Sequence, residues 1–558
     1  MNKLMSATLL LFFATLQAYA QAQNQTAQST ATTARVNKLF ARWDKPTSPG
    51  CALAVIKDGR IIYKRGYGMA NLDHDIPITT TSIFHVASVS KHFTAAAVAL
   101  LAQRNKLSLD DPVRKYIPEL PDFGEPITIR HLIYHTSGLR DQWTLLGLAG
   151  LRYSLDRIAD RDVLDVIARQ KELNFRPGEK FLYCNTGYTL LAMIVARVSG
   201  QSFREFTDAN IFRPLGMKNS HFRDDHAEVV KNHAYGYLPT PEGAFRLGAT
   251  NFDTTGATSL LTTVEDVALW DQNFYNKKVG GPALIEQMHE RGKLNNGEVL
   301  NYAFALNLST YRGVPIVEHS GSDAGYRAHL IRFPEQHFSV ACFCNAGPVD
   351  ITALTRKVAD IYLEAEFKDT PAEQPVTSVP VLSETQLRSK EGLYVDLESG
   401  GSARVIMKDK QLTVQAFGRT FTLRPLSEAR FQVVERPMEK AQFDKPPGSS
   451  GPRLVMWDEF GRKAFYDYMP PYTLPSDQLS DYVGDYVSDE IEPVFRMRMQ
   501  GDKLALTRLK YRPVMLQPIM RDVFLTDSGT IRFTRNAQDQ ISGFIYNLSR
   551  VRNFRMKK

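Results

Sequence analysis

The stretch H-V-A-S-V-S-K-H-F, residues 85–93, sets two serines and a lysine at the start of an alanine-rich run. The sequence from Lys91 to Leu107 (K-H-F-T-A-A-A-V-A-L-L-A-Q-R-N-K-L) predicts a helix from its strong helix formers and its apolar periodicity. Residues three apart share a helix face, so Lys91 stands beside the Ser88 hydroxyl. A neutral or hydrogen-bonded lysine can take a serine proton, and a helix N-terminus favours the developing negative charge. A plainer alternative exists, in which Ser88 or Ser90 caps the helix and Lys91 points into solvent. S-x-x-K alone does not separate the two.

Two later stretches bear on the choice. In F-L-Y-C-N-T-G-Y, residues 181–188, Tyr183 and Asn185 alternate in an extended or turn segment, and a helix is expected from near Thr186 to Gly200. A tyrosine near a lysine is expected to have its pKa lowered and to shuttle protons. The Asn185 amide can orient substrate or Lys91. In V-E-H-S-G-S-D-A-G, residues 317–325, a strand carries His319, Ser320 and Gly321. A small residue at 321 would let a substrate backbone lie against the strand edge. The plain alternatives are a turn with Tyr183 as core and a satisfied histidine at 319.

A chain of 558 residues exceeds what one core supports, about 250–300 residues, so several domains are expected. Ala52–Ile56 and Ile61–Tyr67 read as a hairpin turned by Lys57-Asp58-Gly59-Arg60. Strands at Ile316–Ser320, Tyr326–Phe333 and Phe338–Cys344, then a helix over Ile351–Phe367, close an α+β domain over residues 35–368. Its sheet is built from distant parts of the chain. Residues 369–382, rich in Pro, Thr and Glu, read as a linker. Beyond it Gly392 recurs as Gly484, Tyr394 as Tyr486 and Leu412 as Leu504, an offset of 92 residues. Two small antiparallel β-barrel or sandwich modules follow, at 383–474 and 475–558.

The N-terminus has the form of an export signal: Lys3, an apolar run from Leu4 to Leu16, and A-Y-A at 18–20. Residues 1–20 are expected to be removed after Ala20, leaving a periplasmic or secreted protein. No later segment reads as a membrane span, and residues 21–34 are expected to be disordered. Cys342 and Cys344 face one side of a strand and cannot readily bridge each other. Buried free thiols are the expectation, with a bridge from Cys51 to one of them as the alternative. No cluster has zinc-ligand spacing. Net charge is only +8, with no basic stripe bearing interleaved aromatics, which argues against a nucleic-acid partner.

Taken in order, S-x-x-K at Ser88 and Lys91, Y-x-N at Tyr183 and Asn185, and H-x-G at His319 and Gly321 resemble the penicillin-recognising serine hydrolases. The class C β-lactamase, DD-peptidase and D-aminopeptidase branch is the specific likeness. I-T-I-R-H-L-I-Y-H-T-S-G-L (127–139), R-P-G-E (176–179) and I-F-R-P-L-G-M (211–217) fit it too. The resemblance implies a β-lactamase/transpeptidase-like fold with a five-stranded antiparallel sheet flanked by helices. It implies an acyl-enzyme on Ser88, with Lys91 and Tyr183 as base and proton relay. Asn185, His319, Ser320 and Gly321 would bind substrate, and the backbone N–H groups of Ser88 and Ser322 would form the oxyanion hole. No metal or cofactor is implied. His319 stands where class C β-lactamases carry lysine, which favours a small peptide bearing D-residues as substrate. An ester, a β-lactam, or a penicillin-binding module without turnover are the alternatives. The two barrels match the D-aminopeptidase architecture, in which a barrel loop enters the groove, and residues 438–453 are the candidate loop. The sequence leaves the oligomeric state open.

Overall fold

The computed structural model describes residues 30–367, 382–416, 418–436, 439–449, 451–458 and 461–558. The expected signal segment (1–20), residues 21–29 and the linker residues 369–381 lie outside these. Residues 30–40 are helical, so the expectation of disorder fails for 30–34. Val36 and Phe40 on this helix are buried in one apolar cluster with Cys51, Leu53 and Val55, and that burial orders it.

The region before the linker is built on an antiparallel sheet. Its strands are β1 (Cys51–Lys57), β2 (Arg60–Tyr67), β3 (Asn307–Tyr311), β4 (Val314–Asp323), β5 (Tyr326–Phe333) and β6 (Phe338–Cys344), in the spatial order β3-β4-β5-β6-β1-β2. The edge strand β3 makes six where five were expected. It pairs with residues 314–318 of β4, and among the described residues 319–323 of β4 have no strand partner on that side. Helix α1 (Ser90–Gln103) is buried almost all round, and its polyalanine stretch lets neighbours approach closely. It packs against α2 (Asn185–Ser199), which ends in a left-handed Gly200 at φ 71°.

β1 and β6 pair with Cys51 opposite Cys344, and these two cysteines form a disulfide. The expectation of free thiols is corrected there. Register decides it: Cys342 sits two residues back and faces Leu53. Cys184 and Cys342 remain as buried free thiols.

Among the described residues, eight strands from Gly392–Val395 to Lys463–Met469 close into one barrel, and eight from Gly484–Ser488 to Val551–Lys557 into a second. The repeat is visible in hydrogen bonds. Tyr394 Oη donates to the Lys390 carbonyl and Tyr486 Oη to the Tyr482 carbonyl, each at 2.8 Å and each four residues back. No described helix is long and apolar enough to cross a membrane.

Candidate active site

Ser88 lies in a single 3-10 turn, Ala87–Val89, that runs directly into α1. Ala87 holds a left-handed φ of 48°, unfavourable for a residue with a Cβ. That bend lifts Ser88 out of the helix axis towards a cleft of about 390 Å3. Neither serine caps the helix: Val89 occupies the cap position, and Ser90 Oγ accepts from Leu260 N–H.

Lys91 is fully buried. Its Nζ lies 3.0 Å from Ser88 Oγ, 3.0 Å from Asn185 Oδ1 and 2.7 Å from the Ala257 carbonyl oxygen. The last two partners can only accept. A neutral amine has two N–H bonds and one lone pair, so donating to both acceptors aims the lone pair at the Ser88 hydroxyl. Burial pulls the Lys91 pKa down to about 7, against the opposing pull of the Asp141 carboxylate. The neutral form is therefore well populated near neutral pH.

Asn185 opens α2. Its Nδ2 and its backbone N–H both donate to Asp141 Oδ2, at 2.9 and 2.8 Å. Its amide thus holds Lys91 on one side and Asp141 on the other, which is the expected orienting role towards the lysine, and it also lines the cleft. Tyr183 lines the same cleft as Ser88, and its ring lies 5.0 Å from Lys91 Nζ. The expected lowering of its pKa is corrected: burial raises it to about 12, outweighing the opposing effect of the neighbouring Ser88 hydroxyl. The group tuned towards neutrality is the lysine.

The β4 segment supplies the facing wall. His319, Ser320 and Ser322 line the cleft. Gly321 does not. A Cβ on it would meet the Val86 carbonyl at 2.2 Å and Ser88 N at 3.1 Å. Glycine there lets β4 pack against the serine turn, while the backbone edge of β4 at residues 319–323 is left without a strand partner among the described residues.

The family model described as Beta-lactamase matches residues 36–363. Penicillin-binding protein 4* of Bacillus subtilis is 31% identical over 401 residues, covering 68% of this chain and 87% of that protein. The chain belongs to the β-lactamase family. It is a serine hydrolase with a β-lactamase/transpeptidase-like fold. D-aminopeptidase of Gluconobacter oxydans is 28% identical over 374 residues, 67% of each chain. The octameric penicillin-binding protein homologue from Pyrococcus abyssi superimposes with a TM-score of 0.56 at 25% identity, covering 87% of this chain and 99% of that one.

Within this β-lactamase-family cleft, several residues carry structure that the motifs did not announce. Cys184 N–H donates to His135 Nδ1, which places the proton of a neutral His135 on Nε2. That Nε2 is 3.1 Å from Tyr302 Oη, and Tyr302 Oη is 3.2 Å from His319 Nε2. His319 Nδ1 donates to the Ser320 carbonyl at 2.7 Å. Hydrogen bonds therefore run in one direction, from His135 through Tyr302 and His319 to the β4 backbone. Burial and the nearby Lys91 hold the His319 pKa down at about 3, so it is neutral and fixed in one tautomer.

Asp141 follows the quoted H-T-S-G-L by two residues, and that motif was the signal that could have found it. Tyr302 lies in no motif. From the barrels come Arg462, in the turn between the strands Arg453–Trp457 and Lys463–Met469, and Arg550, in the turn between Ile541–Leu548 and Val551–Lys557. The described part of 438–453 contributes no lining residue. Most of it is the strand Lys440–Asp444 and the segment leading to the next strand, and its residues 438 and 450 lie outside the described set.

Proposed function

We propose that this hydrolase forms an acyl-enzyme on Ser88 and acts on peptides containing D-amino acids, after export from the cytoplasm. The observation that carries the mechanism is the three-partner environment of Lys91. A lysine held neutral with its lone pair on a serine hydroxyl is an activated nucleophile pair.

Ser88 Oγ bonds to the substrate carbonyl carbon as its proton passes to Lys91 Nζ. The oxyanion forms beside the N–H groups of Ser88 and Ser322, a contribution on the order of 3 kcal/mol for one such donor. Tyr183, protonated at working pH, gives its proton to the leaving nitrogen as the C–N bond breaks, and recovers one from the Lys91 ammonium. Water then attacks the ester carbonyl, its proton returns to Lys91, and Ser88 Oγ leaves with a proton. His319, Ser320 and Ser322 line the substrate face.

The substrate class is supported by the D-aminopeptidase and penicillin-binding protein similarities and by a neutral His319 where a lysine would add charge. Export is supported by the sequence of residues 1–20 and fits the Cys51–Cys344 disulfide, since such bonds persist in oxidising compartments. The test is mass spectrometry of the protein incubated with a penicillin, with D-alanine p-nitroanilide hydrolysis measured on the same sample. An adduct on Ser88 that Ser88→Ala abolishes, together with anilide turnover, is the expected result. No adduct and no turnover would overturn the reading.

A further inference from the structure

The cleft has an uneven supply of charge. Its acidic groups are committed. Asp323 meets His85 Nε2 at 2.8 Å, Tyr153 Oη at 2.9 Å and Thr258 Oγ1 at 3.1 Å. Asp141 accepts from Trp143 N–H and twice from Asn185. The neighbouring basic groups, Lys91 and His319, are shifted towards neutrality. The permanent cations on the lining are Arg462 and Arg550, one from each barrel, and Arg462 is already paired with Asp458, its Nε donating to Oδ2 at 2.6 Å.

Arg550 is placed with care. Its carbonyl accepts from Asp141 N–H at 3.1 Å and from Asn174 Nδ2 at 3.0 Å, and Arg552 N–H donates to Asn174 Oδ1 at 2.8 Å. The turn is thus pinned to the catalytic region by its backbone. The side chain is left to project, with its guanidinium 5.1 Å from the centre of the Tyr183 ring. Among the described residues that guanidinium donates no hydrogen bond, and its neighbour Asp141 Oδ2 stands 3.9 Å away, already holding Asn185. A guanidinium fork with open donors, held over an aromatic face beside the nucleophile, matches a carboxylate. Trp143, stacked on Phe252, adds an apolar wall for the adjoining side chain.

We infer that Arg550 is a specificity-determining residue that takes a free carboxylate of the substrate. A substrate ammonium would face two guanidiniums and no uncommitted carboxylate. The substrate class is then narrowed to peptides cleaved near a free C-terminus, in preference to those cleaved near a free N-terminus. The inference rests on the peptidase reading above.

The test measures binding of N-acetyl-D-alanyl-D-alanine and of its C-terminal amide to full-length Ser88→Ala protein by calorimetry, with Arg550 intact and then as Arg550→Gln and Arg550→Lys. Expected is at least tenfold tighter binding of the carboxylate than of the amide with Arg550 intact. Arg550→Gln should erase that ratio and Arg550→Lys should keep part of it. Equal binding of the two ligands, a preference that survives Arg550→Gln, or binding of neither overturns the inference. Ser88 adduct formation, measured separately on the unsubstituted protein, tests the peptidase reading, so each can fail without the other.

Discussion

The two barrels share a strand plan and a tyrosine hydrogen bond, yet they join the molecule in different ways. The second is fused to the catalytic region. Its apolar residues, including Tyr482, Phe495 and Phe544, belong to the same buried cluster as Phe93 and Tyr188. Arg140, fully buried, donates to the carbonyls of Arg552 and Asn553 and pairs with the buried Glu490. Tyr511 Oη donates to the Leu151 carbonyl at 2.6 Å. The first barrel has an apolar core of its own. It reaches the catalytic region through polar contacts such as Lys180–Glu398 at 2.9 Å and Arg462 stacked 5.2 Å from the Phe181 ring. One strand plan is thus compatible with two modes of docking, a shared apolar cluster for the second barrel and polar contacts for the first.

The second barrel also reaches the chemistry. Its Arg550 carbonyl holds the Asp141 N–H, Asp141 holds Asn185, and Asn185 holds Lys91. The largest effect is therefore expected from Glu490→Ala, which leaves the Arg140 guanidinium buried without its counter-charge. A loss of about 3–5 kcal/mol follows from breaking such a pair, read as a fall in melting temperature with a parallel fall in turnover. A midpoint within a degree of the parent would show that the second barrel is docked no more tightly than the first.

Asp141→Asn keeps the shape of the bridge and removes its charge. The Asp141 carboxylate raises the Lys91 pKa against the effect of burial. Without it the pKa falls further, so the rising limb of activity with pH moves to lower pH. A limb that stays in place would detach Asp141 from the lysine. The smallest effect is expected at the first barrel. Glu398→Ala removes an exposed partner of Lys180 and Arg552. It should cost under about 1 kcal/mol, as exposed ion pairs do, and a loss of several kcal/mol in the same melting experiment would erase the contrast between the barrels.

Much of this was legible in the sequence. Periodicity located the hairpin and the late strands, and the 92-residue offset located both barrels, because these signals are local and repeat. Ser88, Lys91, Tyr183 and Asn185 meet around one point, since two of them sit on one helix turn and two at the start of another. What escaped depended on register and on long-range approach. The Cys51–Cys344 bond is decided by which residue of β6 faces Cys51. The close contact of Gly321 with the serine turn is revealed only by the crossing of β4 over that turn. The raised Tyr183 pKa follows from burial, which neighbouring residues do not encode. Arg462 and Arg550 sit in barrel turns far along the chain from Ser88, and no motif marks them.

The most direct test of the account is the pH dependence of Ser88 acylation, measured as the single-turnover rate with a neutral activated ester. Proton removal by a neutral Lys91 predicts a rate that rises about tenfold per pH unit below a midpoint near 7 and levels above it. A midpoint near that of an ordinary lysine, about 10, or a rate indifferent to pH between 5 and 9, would contradict a lysine held neutral over the serine.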